Sequence, residues 1–549
     1  MRPWRIALKK FAADGNRLRY DPVTSSCPAA ARTIRPPAMT RSVQPWWSTR
    51  SFAIAMMIAA AVPLLWPTVP PLVDLPGHMG RYAIQLAPAS SPLHQWFHFE
   101  WAVIGNLGLD LLVMPLAWLI GLEPAVKLIV VAIPPLTVAG MLLVAREAHG
   151  ELPATAPLAL PLVYGYPVQF GFVNFALSMA LALIGFAVWL RLGRQGRLKL
   201  RAILFIPFGI LLWFVHSFGW GTLGLLTFSG DLVRRHRRGK PWLQSAWEAG
   251  LATMPLMPPI MLMLLWRSGQ VAGMTGDWFN WISKWYYLRS ILRNDGTPFD
   301  LYSSYALIAI ALLGLLGFGF RRNWLLVLAA TILIATYVLL PRIAIGSAYA
   351  DMRLAPYMIA VLLLALSPKT GNPRALGLIA IAATGFFLVR MAVQTATYVR
   401  VDAAHEAQLA ALDHLPRGAR VFALADLPCL NTPYSNRFDH LEAMGIVRRE
   451  AFTNGQWAMA GAQLLRIDYP AAAAFSQDPS QVIRPANCKQ PNSNDYPAVL
   501  GEFTRSAFDY LWLINFPVDR QPRNDAGLVP VWRGSTGALY RIRRTPTAG

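Results

Sequence analysis

Hydrophobic residues in this chain gather into long unbroken runs, and polar residues collect between the runs. Eleven runs approach membrane-crossing length, near 51–66, 103–122, 126–145, 173–190, 202–215, 217–232, 249–266, 301–319, 323–340, 354–367 and 375–395. A hydrocarbon core about 30 Å thick needs about 20 apolar helical residues. The pattern predicts a polytopic α-helical membrane protein with about 11 spans, in the range 11–13. Residues 155–192 are almost all apolar yet broken by Gly165, Pro167, Gly171 and Asn174. One full crossing fits there, preceded by a short re-entrant or interfacial helix over 155–168, because irregular backbone at membrane depth survives only inside protein or beside a cavity.

Beyond residue 395 hydropathy falls and the pattern changes. Ala403 to Leu415 reads as a helix, the turn Pro416-Arg417-Gly418 follows, and Arg420 to Ala425 reads as a buried strand. Tyr510 to Phe516, Val529 to Arg533 and Ala538 to Ile542 read as further strands. The expected organisation is a basic tail over 1–50, a multi-span domain over 51–395 and an α/β or α+β domain over 396–549. Three loops on one side exceed what a connection needs: 67–102, 267–300 and 341–353.

Composition agrees. Of the 549 residues 55% are hydrophobic and 14% charged, against about a quarter charged in ordinary soluble chains. Lys and Arg outnumber Asp and Glu by 50 to 28, and their placement explains the excess without nucleic acid. Arg191, Arg194, Arg197, Lys199 and Arg201 form one cluster, and Arg234, Arg235, Arg237, Arg238 and Lys240 another. Arg321 with Arg322, and Lys369 with Arg374, complete the set. Alternating spans put all four on one side, which the retention of basic loops identifies as cytoplasmic. The N-terminus, with ten basic residues in its first 50 against Asp14 and Asp21, belongs on that side too. An odd span count places the C-terminal domain, with 16 basic and 14 acidic residues from 396 onward, outside the plasma (inner) membrane. Met39 is a plausible initiator. Cys27, Cys429 and Cys488 follow no metal-ligand spacing, and at most the last two can pair, if their domain lies in an oxidising compartment.

The candidate chemistry lies just past the first span, between Pro70 and Tyr82. If Pro76 opens a helix, His78, Arg81 and Tyr82 share a face and Asp74 sits immediately before it. Asp74 is then either a helix cap or a reactive carboxylate at the water boundary. Asn106 and Asp110 fall four residues apart, and Asp110 enters the second span, where an acid needs a partner: Asn106 or a basic residue on a neighbouring helix. His216 reads as a hydrogen-bonded packing residue. Arg342, Asp351 and Arg353 either pair on the surface or form an anionic phosphate site. In 277–293, Trp278, Trp281, Ile282, Trp285, Leu288 and Leu292 share a helical face, with Lys284 and Arg293 directed away, as in a helix at the membrane interface.

The layout resembles the GT-C class of integral-membrane glycosyltransferases, which use polyprenyl-phosphate-linked sugars. The shared features are the cytoplasmic N-terminus, an acid just beyond the first span, many further spans, an aromatic outer loop and an extracytoplasmic C-terminal domain. The local motif is Val73-Asp74-Leu75-Pro76-Gly77-His78. The resemblance implies a lipid-linked sugar donor, a cell-envelope glycan, lipid or protein acceptor, and inverting transfer. It implies Asp74 as general base with His78 assisting, and Arg81, Tyr82, Asn106, Asp110, Arg342 and Arg353 around the substrates. The family often shows two acids close together in this loop. Here Asp74 stands alone until Glu100 and Asp110, so a divalent metal is not indicated and no cofactor is assigned. The competing reading is a transporter of a small or lipid-linked solute, against which stand the lack of an internal repeat and the large C-terminal domain. A third is a structural membrane component.

Overall fold

The computed structural model describes residues 44–267, 275–344, 347–426, 436–459, 463–478, 482–483, 496–522 and 525–543. The basic tail through residue 43 and the three cysteines lie outside them. The helices are α1 (Arg50–Leu65), α2 (Leu75–Gln85), α3 (Gly108–Ile120), α4 (Leu122–His149), α5 (Tyr166–Phe170), α6 (Val173–Arg194), α7 (Leu198–Val215) and α8 (Ser217–His236). They continue with α9 (Trp242–Thr253), α10 (Pro259–Arg267), α11 (Trp281–Arg289), α12 (Pro298–Leu316), α13 (Trp324–Leu339), α14 (Ala355–Leu364), α15 (Pro373–Leu409) and α16 (Met444–Arg449).

Every expected span position carries helix. Among the described residues five helices are long and apolar enough to cross a membrane: α4, α6, α7, α12 and the run Pro373–His414 that contains α15. α1, α3, α13 and Met352–Leu364 are shorter apolar helices. The chain is therefore a polytopic helical membrane protein. The run expected at 249–266 is interrupted: Pro255 and Pro258 divide it into α9, a 3-10 turn at Met254–Leu256, and α10, since proline lacks the amide that an uninterrupted helix requires. Caps fix other ends. Thr49 accepts from the Phe52 amide at 3.1 Å, Asn323 from Leu325 at 3.1 Å and Asn372 from Arg374 at 3.0 Å. His216 starts α8 by accepting from the Phe218 amide at 3.1 Å, the packing role expected of it.

The broken apolar segment forms a buried 3-10 helix, Ala156–Tyr164, followed by the five-residue α5. It packs among α4, α14 and α15 inside the protein, where its irregular backbone is sheltered from lipid.

Ion pairs inside the bundle supply partners that the sequence left open. Asp110 pairs with Arg81 of α2, a basic residue on another helix as expected, here the helix of the first outer loop. Arg390 lies well inside α15 and holds Asp300 at 2.7 Å. Lys284, expected to point away toward lipid phosphates, is buried: its Nζ lies 2.8 Å from Asp351 and donates to the Tyr337 and Leu340 carbonyls. A primary ammonium without these three acceptors would be orphaned in an apolar environment. Trp278, Trp281, Ile282 and Trp285 remain exposed as the aromatic surface, whereas Leu292 is buried.

Beyond the bundle the chain builds a mixed sheet. Its strands are β4 (Arg420–Asp426), β5 (Phe452–Thr453), β7 (Val482–Ile483), β8 (Tyr510–Ile514), β9 (Leu528–Gly534) and β10 (Gly537–Ile542); β1 (Phe97–Phe99), β2 (Phe320–Arg322), β3 (Leu366–Pro368) and β6 (Leu465–Ile467) belong to small two-stranded pairs. The order is β5-β4-β8-β10-β9, with β4 parallel to β5, β7 and β8, and β10 antiparallel to β8 and β9. β4 is apolar from Val421 to Ala425 because both faces are covered there, as in parallel sheets generally. Val421, Ala423 and Ala425 join the core continuous with the helical bundle, while Phe422 and Leu424 face an aromatic core with Phe475, Phe503 and Phe508. The helix expected at Ala403 to Leu415 is no separate element: α15 runs from the last apolar run to Leu409 and ends in a 3-10 turn.

The first outer loop is woven into this domain. β1 pairs antiparallel with β6, matching Phe97 to Ile467, and Leu93, Trp96 and Phe97 enter the sheet's aromatic core. α2 packs on α16. Residues 366 to 379 positions apart thereby meet around Asp74.

Candidate active site

Asp74 stands at the start of α2 with helical dihedrals, yet its side chain makes no capping hydrogen bond. Leu75 and Pro76 open the helix, proline filling a first-turn position where a missing amide costs nothing. The backbone is fixed from the other side. The amides of Val73 and Asp74 donate to the carbonyls of Gln169 and Phe170 at 3.2 and 2.9 Å. Gly171 makes this approach possible: its φ is +95°, and a Cβ there would sit 2.8 Å from the Asp74 amide nitrogen. The apolar segment broken by glycine thus serves to hold the acid.

The Asp74 carboxylate, 13% exposed, faces His440, whose Nε2 lies 3.9 Å from Oδ1. Nδ1 of the same ring is 4.0 Å from Asp478 Oδ2 and 3.2 Å from the Gly455 carbonyl. Burial lifts the Asp74 carboxyl to about 7; His440 and Arg353 pull it down, while Asp439 and Asp478 push it up. Burial alone lowers the His440 imidazole, but the surrounding Asp439, Asp478, Asp74 and Glu442 outweigh it and raise the ring to about 9. Glu442 is lifted by burial to about 8 against the attraction of His440. Near neutral pH the cluster therefore holds a charged imidazolium beside a carboxyl poised between its two forms. The indole of Trp457 lies 4.4 Å from the His440 ring and 5.5 Å from His78. Gly77 leaves room for this indole where a Cβ would collide with it, and Gln456 donates to the Gly77 carbonyl at 2.9 Å.

A polar network backs the acid. Gln169, fully buried, accepts from Tyr398 at 2.8 Å and Arg437 at 3.1 Å, and donates to Gln394 at 2.7 Å. Arg437 also donates to the Pro71 and Asn294 carbonyls. One arginine of the C-terminal region thus ties together the first loop, the buried segment and the loop after α11, while Gln169 links them to α15.

The residues singled out from sequence separate into groups. Asp74 and His78 lie in the cluster, but the imidazole beside Asp74 belongs to His440; His78 gives its backbone amide to the Asp74 carbonyl at 3.0 Å. Burial, Arg81 and His440 push the His78 ring well below its usual range, so it is neutral. Arg353 is buried, 4.4 Å above the Phe172 ring, with its Nε unpartnered, and it acts electrostatically on Asp74. Arg81 is committed to Asp110, at 3.1 and 3.2 Å from the two carboxylate oxygens, and its guanidinium lies 5.1 Å from the buried Tyr82 ring. Asn174 bridges Asp110 and Asn106. Arg342 pairs with Asp277 rather than with Asp351 or Arg353. Arg81, Asp110, Asn106 and Arg342 are thus brought into structural pairs. His440, Asp478, Glu442 and Trp457 were missed, though Phe438-Asp439-His440-Leu441-Glu442 packs three titratable groups into five residues. Among the described residues no three His, Cys, Asp or Glu side chains converge to hold a metal ion, and none is assigned to one.

No family model and no curated protein matches this chain. Among solved structures it is similar to the crystal structure of ArnT from Cupriavidus metallidurans bound to undecaprenyl phosphate, at 12% identity and a TM-score of 0.45, over 89% of this chain and 97% of that one. This is a loose likeness of layout, at a level that transfers neither site residues nor chemistry.

Proposed function

We propose that this protein is a membrane glycosyltransferase that moves a sugar from a polyprenyl-phosphate donor to an extracytoplasmic acceptor with inversion, Asp74 acting as general base. The observation that carries the reading is Asp74 itself: a largely buried carboxyl, 13% exposed, that makes no capping hydrogen bond, is fixed by two backbone hydrogen bonds and is lifted to about 7. A base whose pKa lies near working pH is deprotonated often enough to act and basic enough to accept. The acceptor hydroxyl gives its proton to Asp74 as its oxygen bonds to the anomeric carbon, and the bond to the polyprenyl phosphate breaks with its electrons on phosphate. That leaving group is already anionic, so cations stabilise its departure better than an acid does. Arg353 is the nearby buried guanidinium with a donor unpartnered. His440 holds the negative charge of Asp74 between turnovers.

In this reading the N-terminal tail is cytoplasmic, residues 51–395 form the membrane domain in the inner membrane, and 396–549 form the outer domain that receives the acceptor. The test is transfer of labelled sugar from a polyprenyl phosphate in membranes carrying the parent chain or Asp74→Asn at equal expression. Parent-dependent transfer to an envelope acceptor, lost in the variant and giving the anomer opposite to the donor's, supports the proposal. Transfer that survives the substitution refutes the assigned base.

A further inference from the structure

A cavity of about 720 Å³ lies away from Asp74, where the N-terminus of α1 meets the C-terminal ends of α4 and α6. Its floor and walls are apolar and come from the bundle: Ile54 and Met57 of α1, and Leu142 and Leu143 of α4. Ile54 and Leu143 are exposed on the bundle's surface, so the groove opens toward the lipid. Its rim carries four guanidinium groups, Arg50, Arg146, Arg191 and Arg194. The single acid of the rim, Glu147, pairs with Arg194. No ion pair among the described residues neutralises the other three.

Helix dipoles account for part of this arrangement. Arg146 and Arg191 sit in the last turns of α4 and α6, where cations are favoured. Arg50 is different. It is the first residue of α1, so it adds positive charge to a helix end that is already positive. An anion at the rim would relieve this repulsion, and an apolar tail would fill the groove below it.

We propose that this groove binds an anionic phospholipid, with its phosphate among Arg50, Arg146 and Arg191 and an acyl chain against Ile54, Met57, Leu142 and Leu143. Basic pockets between membrane helices bind acidic head groups in this way. The site is separate from the Asp74 cluster and independent of the glycosyltransferase reading.

The purified full chain in detergent, exposed to phosphatidylglycerol or phosphatidylcholine with identical acyl chains, tests the proposal by native mass spectrometry. Juxtamembrane arginines contribute roughly fivefold each at low salt, so the preference for phosphatidylglycerol is expected to be on the order of a hundredfold and to shrink as salt rises. The variant Arg50→Gln/Arg146→Gln/Arg191→Gln is expected to lose it. Leu142→Trp, which fills the groove without altering charge, is expected to lower occupancy. Equal binding of the two lipids, or an undiminished preference in the triple variant, overturns the proposal. Photo-crosslinking of the parent chain with a phosphatidylglycerol carrying a diazirine acyl chain decides the case without any variant. Label within 50–57 or 139–152 is expected, and label only elsewhere overturns the site.

Discussion

Replacing Arg81 with Met separates two roles that sequence alone leaves together. Arg81 is 1% exposed and Asp110 is 0% exposed, and the guanidinium lies 3.1 Å from the nearer carboxylate oxygen. At an effective dielectric near 20 the attraction is roughly 5 kcal/mol. Desolvation offsets most of it in the intact pair, but removing one partner leaves an uncompensated buried charge and costs about 3–5 kcal/mol. Asn174 still donates to Asp110 at 3.3 Å, which favours the lower end. Arg81→Met is therefore expected to lower the thermal midpoint in mild detergent by roughly 5 °C or more. The double variant Arg81→Met/Asp110→Leu, which removes both charges, is expected to recover most of the loss. Thermal unfolding of the four proteins completes a double-mutant cycle. If Arg81→Met unfolds like the parent while sugar transfer collapses, the guanidinium serves substrate and the structural assignment is wrong.

Further predictions concern the site and the bundle. Lys284→Met strands Asp351, which is 0% exposed, and is expected to destabilise the protein by about 3 kcal/mol or more in a thermal assay, without reducing anionic-lipid binding at the groove. Gly171→Ala places a Cβ against the Asp74 backbone at positive φ and should reduce transfer at least tenfold while the protein still reaches the membrane. His440→Gln removes a charge that lowers the Asp74 pKa, so the acidic limb of the pH–rate profile should move to higher pH; an unmoved limb argues against coupling of the two groups. The folded-state pKa of Asp74 lies above its ordinary 3.8, so this acid costs stability that accumulates as pH rises from about 4 to about 7. Asp74→Asn should accordingly be more stable than the parent at pH 8, by a few kcal/mol at most, with the advantage fading toward pH 4.

The sequence showed the bundle far better than it showed the site. Apolar runs are a one-dimensional signal of burial in lipid or core, so every expected span position carries helix, and β4 and β8 could be read from their uninterrupted apolar runs. The break at Pro255 and Pro258 was visible in principle, but hydropathy averages over it. The ion pairs were harder because each depends on a partner far along the chain: Arg81 with Asp110, Lys284 with Asp351, and Arg390 with Asp300. Composition suggested outward-facing cations, whereas packing turned Lys284 inward to three oxygen acceptors. Asp74 stood out because it opens a loop at the membrane boundary. Its surroundings did not, since His440, Trp457 and Asp478 come from the C-terminal region and reach it only because β1 pairs with β6 and α2 packs on α16.

The account rests on Asp74 as a base poised near neutrality. The measurement that tests it most directly is the pH dependence of sugar transfer by the purified parent chain and Asp74→Asn, with saturating polyprenyl-phosphate sugar. Because the base acts only when ionised, the parent rate should fall about tenfold per pH unit below about 7 and level off above it, and Asp74→Asn should be about 100-fold or more slower with no such limb. A parent rate flat from about pH 5 to 8, or parental transfer by Asp74→Asn, would contradict the account.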